Sequence, residues 1–140
     1  INHFTSYKKV TAVTPNHHEA EQASGISIQD EDSLIRAGNT LLERLNCEMV
    51  LITRGEMGMT LFQKGSMITH IPTYAREVYD VTGAGDTVIA CFTLALSTGV
   101  PPVEAAVLSN FAAGVVVGEV GTASASSEKL KHAIRGRRFK

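Results

Sequence analysis

Apolar and polar positions along the chain fall into two kinds of pattern. Leu34, Ala37, Leu41, Leu42 and Leu45 recur at helical spacing, with Arg36, Asn39 and Glu43 on the opposite side. This predicts an amphipathic surface helix, with Asp30 or Asp32 as its cap. "MVLIT", Met49–Thr53, is instead an unbroken apolar run, which suits a strand covered on both faces, as in a parallel sheet. Upstream, "VTAVT" at residues 10–14 reads as a short strand, and Glu19–Ser24 as a helix stopped by Gly25. Downstream, "RGEMG" turns the chain into "MTLFQ", and Lys64-Gly65 turns it again into "SMITHIP". Two short strands joined this tightly predict a hairpin.

A loop from Thr73 to Val81 leads into two apolar helices. The first is expected to begin within a residue or two of Gly83 and to run to about Ser97, closed by Gly99. The second starts at Pro101-Pro102, with Glu104 in its first turn, a favourable helix start. Its small residues Ala105, Ala106, Ala112, Ala113 and Gly114 predict close packing on more than one side. "GTASASSEKLKHAI" gives a loop and a last helix. The order of strands and helices indicates an α/β fold.

Length and composition narrow the function classes. The 140 residues, 44% apolar and 19% charged with a net charge of -1, are enough for one domain with a real core. That balance predicts neither a nucleic-acid partner nor a membrane surface. The basic ending from Arg135 to Lys140 reads as a solvated tail. Cys47 and Cys91 make no disulfide framework. Cys91, inside an apolar stretch, is expected to be a buried free thiol, which fits a cytoplasmic location. No signal peptide is evident, and the most apolar stretches fall short of the roughly 20 residues a membrane span needs. The chain does not start with Met, so a fragment of a longer protein is expected.

The candidate chemistry lies in "DVTGAGDT", Asp80–Thr87, at the entrance of the first apolar helix. A helix entrance has unpartnered N–H groups and a locally positive dipole. Glycines let a ligand come close to that backbone. Gly83, Ala84 and Gly85 would aim donors at an anion, usually a phosphate. Asp86 beside that anion is repulsive for binding. It makes sense as the acceptor of a proton from a hydroxyl that attacks phosphorus, with the donors holding the charge that develops. The plainer alternative is a glycine turn with an acid that only stabilises the helix, and the stretch alone leaves both open. Two other phosphate motifs fail on spacing. G-x-G-x-x-G needs a small residue where Val88 stands, and no Gly-Lys-Ser/Thr follows for a P-loop.

"DVTGAGDT" resembles the C-terminal signature of the ribokinase-like (PfkB) carbohydrate kinases. "YDVTGAGDTVIA", "TPNHHEA" and "FAAGVVVGEVGT" together are similar to the sugar-kinase domain of heptose-phosphate kinases, found in bifunctional ADP-heptose synthesis proteins of the lipopolysaccharide pathway. The resemblance runs from about Val10 to Ala125. It implies a three-layer α/β/α fold with a mostly parallel sheet plus a hairpin. Residues 1–140 would be the C-terminal, nucleotide-binding portion of the kinase domain.

The resemblance also implies roles residue by residue. Asp86 matches the catalytic base, and Gly83, Ala84 and Gly85 the anion hole. Asn16 and Glu19 match an Asn-x-x-Glu element that organises Mg²⁺ and phosphate, often through water, as suits a cation that keeps its waters. A helix cap after Pro15 is the competing reading for Asn16. Thr53, Gly55 and Gly58 match a loop contacting the phosphates and ribose of ATP, with a plain strand-to-hairpin turn as the alternative. Asn110 and Gly114 match the helix beside the adenine, with ordinary helix packing as the alternative. Asp80, Thr82 and Gly121 lie where some members bind a monovalent cation. His17 and His18 match no family role and are expected to be exposed; "HEAEQ" is no zinc motif, because Gln22 takes the place of the second histidine.

The family's N-terminal half carries a Gly-Gly sugar signature, the sugar-contacting acid and a strand lid. None of these is present in the 140 residues. The implied activity is ATP-dependent phosphorylation of a sugar or sugar phosphate, heptose 7-phosphate above all. The 140 residues alone are expected to be inactive, and the lid-built dimer contact of some members is expected to be absent. The alternative from another class is a non-catalytic nucleotide-binding or interaction module, for which Asp86 would have no use.

Overall fold

Five apolar residues in a row form the centre of the sheet. In the computed structural model, which describes residues 6–7, 9–65, 67–75, 78–119, 121 and 123–136, β2 (Met49–Thr53) has its first four residues buried. It pairs in parallel with β1 (Ala12–Val13), Val13 opposite Val50. On its other side it pairs antiparallel with β3 (Met59–Gln63), Leu51 opposite Leu61. β4 (Met67–Ile71) completes the order β1-β2-β3-β4. The sheet is therefore mixed, and the expectation of a mostly parallel sheet is corrected. The connection from Thr53 to Met59 is too short for the crossover that a parallel pair requires.

The chain divides into two units. The first runs to Gly55 and includes Met59–His70. Here α1 (His17–Ser24) and α2 (Glu31–Leu45) cover one face of the sheet. Their stripe of Ala20, Leu34, Ala37, Leu41 and Leu45 packs with Val13, Val50, Ile52 and Phe62. Asp30 caps α2, its side chain accepting from Ser33 N at 2.8 Å. Asn46, at φ 47, ends the helix. Gly38 sits over the fully buried Phe62, whose ring occupies the place a Cβ would take. Cys47, not Cys91, is the buried thiol; both are free, and Cys91 is only half-buried. Cys47 enters the core where α2 gives way to β2, and burial pushes its thiol pKa up.

The second unit holds Glu56–Gly58 and the chain from Ile71 onward. α3 (Ala84–Ser97) and α4 (Pro102–Val117) pack along each other, joined by residues 98–101. Such a short link makes an antiparallel helix pair. α4 buries Ala105, Ala106, Ser109, Asn110, Phe111, Ala112, Val116 and Val117, which lie all around the helix, as its small residues predicted. α5 (Ser127–Arg135) packs on α4 and starts at Ser126, whose hydroxyl accepts from Lys129 N at 3.2 Å. Among the described residues, no helix is long and apolar enough to cross a membrane.

Candidate functional site

The entrance of α3 is built by a short series of turns. The Asp80 carboxylate accepts from Thr82 N at 2.8 Å. This bond, with a further one from the Thr82 side chain, lowers the Asp80 pKa. Ala84 N donates to Val81 O at 3.2 Å. Gly83 then takes φ 80, a left-handed conformation suited to glycine. Its carbonyl accepts from both Thr87 N and Thr87 Oγ1 at 2.9 Å. No side chain caps the helix. The first-turn amides of Gly85 and Asp86 have no acceptor among the described residues, as expected of an uncapped helix start. A Cβ added at Gly83 or Gly85 would meet nothing within 4 Å. Donors and the exposed Asp86 carboxylate therefore lie at one helix start with open space at both glycines. Gly121, at φ 82, is exposed. Val117 O, from the end of α4, accepts from Tyr79 N at 2.8 Å and Asp80 N at 3.4 Å.

A second set lies in the first unit. Asn16 Oδ1 accepts from Glu19 N at 2.9 Å, and Glu19 Oε2 accepts from Asn16 N at 2.8 Å. This reciprocal capping box starts α1 two residues earlier than the sequence suggested. Thr53 N donates to Pro15 O at 3.0 Å, and Asn16 bridges Thr53 in parallel. Asn16, Glu19 and Thr53 are thus neighbours at the end of β2. The box leaves Glu19 Oε1 outside it, and Asn16 is exposed. That donor set fits a water-retaining Mg²⁺. Among the described residues, no three His, Cys, Asp or Glu side chains gather as a metal cage. His17 and His18 both approach the Glu21 carboxylate, at 4.0 and 3.7 Å. His18 is exposed, and His17 is half-buried.

The remaining expected contacts divide. Gly55 is exposed at φ 59 with open space around it. Gly58, at φ 81, is buried, and a Cβ there would run into Ile71 O and lie 2.7 Å from Thr73 N. Asn110 is buried, and its Nδ2 donates to Pro72 O at 2.7 Å. At Gly114 a Cβ would lie 3.3 Å from Ala75 N. Gly58, Asn110 and Gly114 therefore face the strap Ile71–Ala75 of their own chain. Two features had no signal in the sequence. Tyr74 stacks on Phe111 with ring centroids 4.0 Å apart. The fully buried Thr60 shares a hydrogen bond of 3.1 Å with His70 Nδ1, whose Nε2 lies 2.8 Å from Glu31 Oε1.

An α/β scaffold with a glycine-opened helix start and an acid in its first turn fits the carbohydrate kinases, and the chain belongs to that class. The family model described as pfkB family carbohydrate kinase matches residues 5–130. The bifunctional protein HldE of Geobacter sulfurreducens is 53% identical over 127 residues, 91% of this chain and 26% of its own length. The chain thus spans about a quarter of the length of the curated relatives it matches. Among solved structures, ribokinase from Thermotoga maritima is 28% identical with a TM-score of 0.76, over 89% of this chain and 42% of that one. Arabidopsis thaliana ribokinase complexed with ribose and ATP has a TM-score of 0.82 at 24% identity, covering 89% of this chain and 40% of that one, a likeness of fold.

Proposed function

We propose that the chain supplies the nucleotide side of an ATP-dependent sugar kinase whose acceptor is heptose 7-phosphate. The observation that carries this reading is the α3 start, with its unpartnered amides, the open space at Gly83 and Gly85, and Asp86 in the same turn. Bound Mg-ATP supplies the phosphoryl group. Asp86 accepts the proton of the acceptor hydroxyl as its oxygen bonds to the γ-phosphorus and the bond to the β-phosphate oxygen breaks. Of the expected anion hole, the amides of Gly83 and Gly85, joined by that of Asp86, would face the negative charge of the phosphoryl group in transfer, whereas the Ala84 amide is taken by Val81 O. Asn16 and Glu19 would hold the Mg²⁺ that accompanies the nucleotide, and Thr53 and Gly55 would meet the nucleotide phosphates and ribose. Asp80, Thr82 and Gly121 would hold a monovalent cation if one binds. Support for the acceptor comes from the HldE relatives and the "TPNHHEA" and "FAAGVVVGEVGT" stretches.

On this reading the residues that hold the sugar lie outside the 140. Holding an acceptor hydroxyl at phosphorus is worth roughly 7–11 kcal/mol, more than an anion hole replaces. The expected outcome is Mg-ATP binding by calorimetry at millimolar nucleotide, without heptose-dependent ADP release from the 140 residues alone. In a kinase that contains this segment, Asp86→Asn should lower kcat by about 100-fold or more with ATP affinity nearly unchanged. Turnover within a few-fold of wild type would reduce Asp86 to a helix-end charge and favour the non-catalytic nucleotide-binding reading.

A further inference from the structure

We propose that Glu21 and Arg44 are positioning residues, which set how α1 presents Asn16 and Glu19 to the Mg²⁺ of the nucleotide. The proposal rests on the reading that this pair organises Mg²⁺. It starts from the shortness of α1. Eight residues are too few for a helix to hold itself together in water. Of those eight, only Ala20 and Ser24 are buried. The capping box joins Asn16 and Glu19 into one unit. The bond from Thr53 N to Pro15 O, at 3.0 Å, ties the front of that unit to β2. One tie leaves a short helix free to pivot about it. The direction in which Glu19 points depends on a second hold further along α1.

Glu21 supplies that hold. Its Oε1 accepts from Ile28 N at 2.7 Å and from Ser27 Oγ at 3.2 Å. Ile28 is buried in the same core cluster as Leu34 and Phe62, so the tether ends on a fixed point. His17 and His18, which match no role in the sequence, both approach this carboxylate. Arg44, in the last turn of α2, adds a further tether. Its Nη1 donates to Ala23 O at 3.2 Å. Ala23 lies in the last turn of α1, where carbonyls lack helical partners and the helix dipole favours a cation. Both tethers act on the far half of α1, away from Asn16. They therefore fix its orientation without touching the metal or the nucleotide.

Three variants test this. Glu21→Ala removes the acceptor, Glu21→Gln keeps a carbonyl oxygen for Ile28 N, and Arg44→Met removes the second tether alone. Hydrogen exchange reads the ligand-free protein. The Ala20 and Gly25 amides, bonded to Asn16 O and Glu21 O, close the two ends of α1. Glu21→Ala should speed their exchange by about tenfold or more, while the β2–β3 amides keep their wild-type rates. Unchanged rates at Ala20 and Gly25 would overturn the proposal. ATP is then titrated with and without Mg²⁺, and the ratio of the two affinities is the Mg²⁺ gain. Positioning predicts a gain lowered about threefold or more in Glu21→Ala, lowered less in Arg44→Met and recovered in Glu21→Gln, with metal-free ATP affinity unchanged. An equal loss of metal-free affinity would mark general damage to the fold and overturn it. Glu19→Gln, which keeps a capping box but removes the charge, separates the two readings. If Glu19→Gln lowers the gain and Glu21→Ala does not, the positioning proposal fails and the Mg²⁺ reading stands. If the wild type shows no gain, or Glu19→Gln leaves it unchanged, the Mg²⁺ reading fails and the proposal falls with it.

Discussion

Gly55 and Gly58 form a matched pair that separates backbone conformation from packing. Both lie in "RGEMG" and both have positive φ, 59 and 81. An alanine in the left-handed region costs about 1–2 kcal/mol. Restricting the unfolded chain offsets about 0.4–1 kcal/mol of that. Gly55→Ala, with open space around its new methyl, should therefore destabilise by about 0.5–1 kcal/mol. Gly58→Ala carries the same conformational cost and drives its methyl against Ile71 O, with Pro72 C at 2.8 Å. Backbone atoms cannot rotate away as a flexible side chain can, so an overpacking term of about 1–3 kcal/mol adds. The expected total for Gly58→Ala is about 1.5–4 kcal/mol. Urea denaturation of the two variants and wild type, with a common m-value, reads the difference. Equal losses would show that the Ile71–Thr73 backbone does not resist a methyl at Gly58, and would refute the packing argument.

Asn16→Ala removes one half of the capping box and should cost about 1 kcal/mol by urea denaturation; a neutral result would mean that α1 does not depend on this cap. The Asp30 carboxylate, held by the Ser33 hydroxyl and amide, has its pKa lowered. A lowered folded-state pKa contributes stability that is present above the ordinary aspartate value and is lost as pH falls through the lowered one. Asp30→Asn keeps a good cap but no longer titrates. Its urea midpoint should match wild type near neutrality and fall less steeply on acidification, whereas an unchanged acid limb would exclude Asp30 as a contributor. Glu21, lowered first by its bond from Ile28 N, and Asp80, lowered first by Thr82 N, add to the wild-type acid limb in the same direction.

What the sequence determined by itself is local in the chain. The apolar stripe of α2, a cap at Asp30 or Asp32, the Pro101-Pro102 start of α4 and a start of α3 within a residue or two of Gly83 follow from spacing and turn chemistry over a few residues, and the structure selects Asp30. The Gly-Ala-Gly-Asp stretch was readable for the same reason, since one helix turn brings its donors and its acid together. What only the tertiary structure decided involves partners far apart in sequence. The direction of β3 against β2 depended on a connection that sequence alone could read as a turn but not place in a sheet. Gly38 is small because Phe62 lies over it, and Thr60 meets His70 and Glu31 only once β3, β4 and α2 are assembled. Asn110 and Gly114 look like ligand residues in a linear motif. Folding sets the Ile71–Ala75 strap against them, because a buried amide must find an acceptor and a backbone can approach a helix most closely where no Cβ stands in its way.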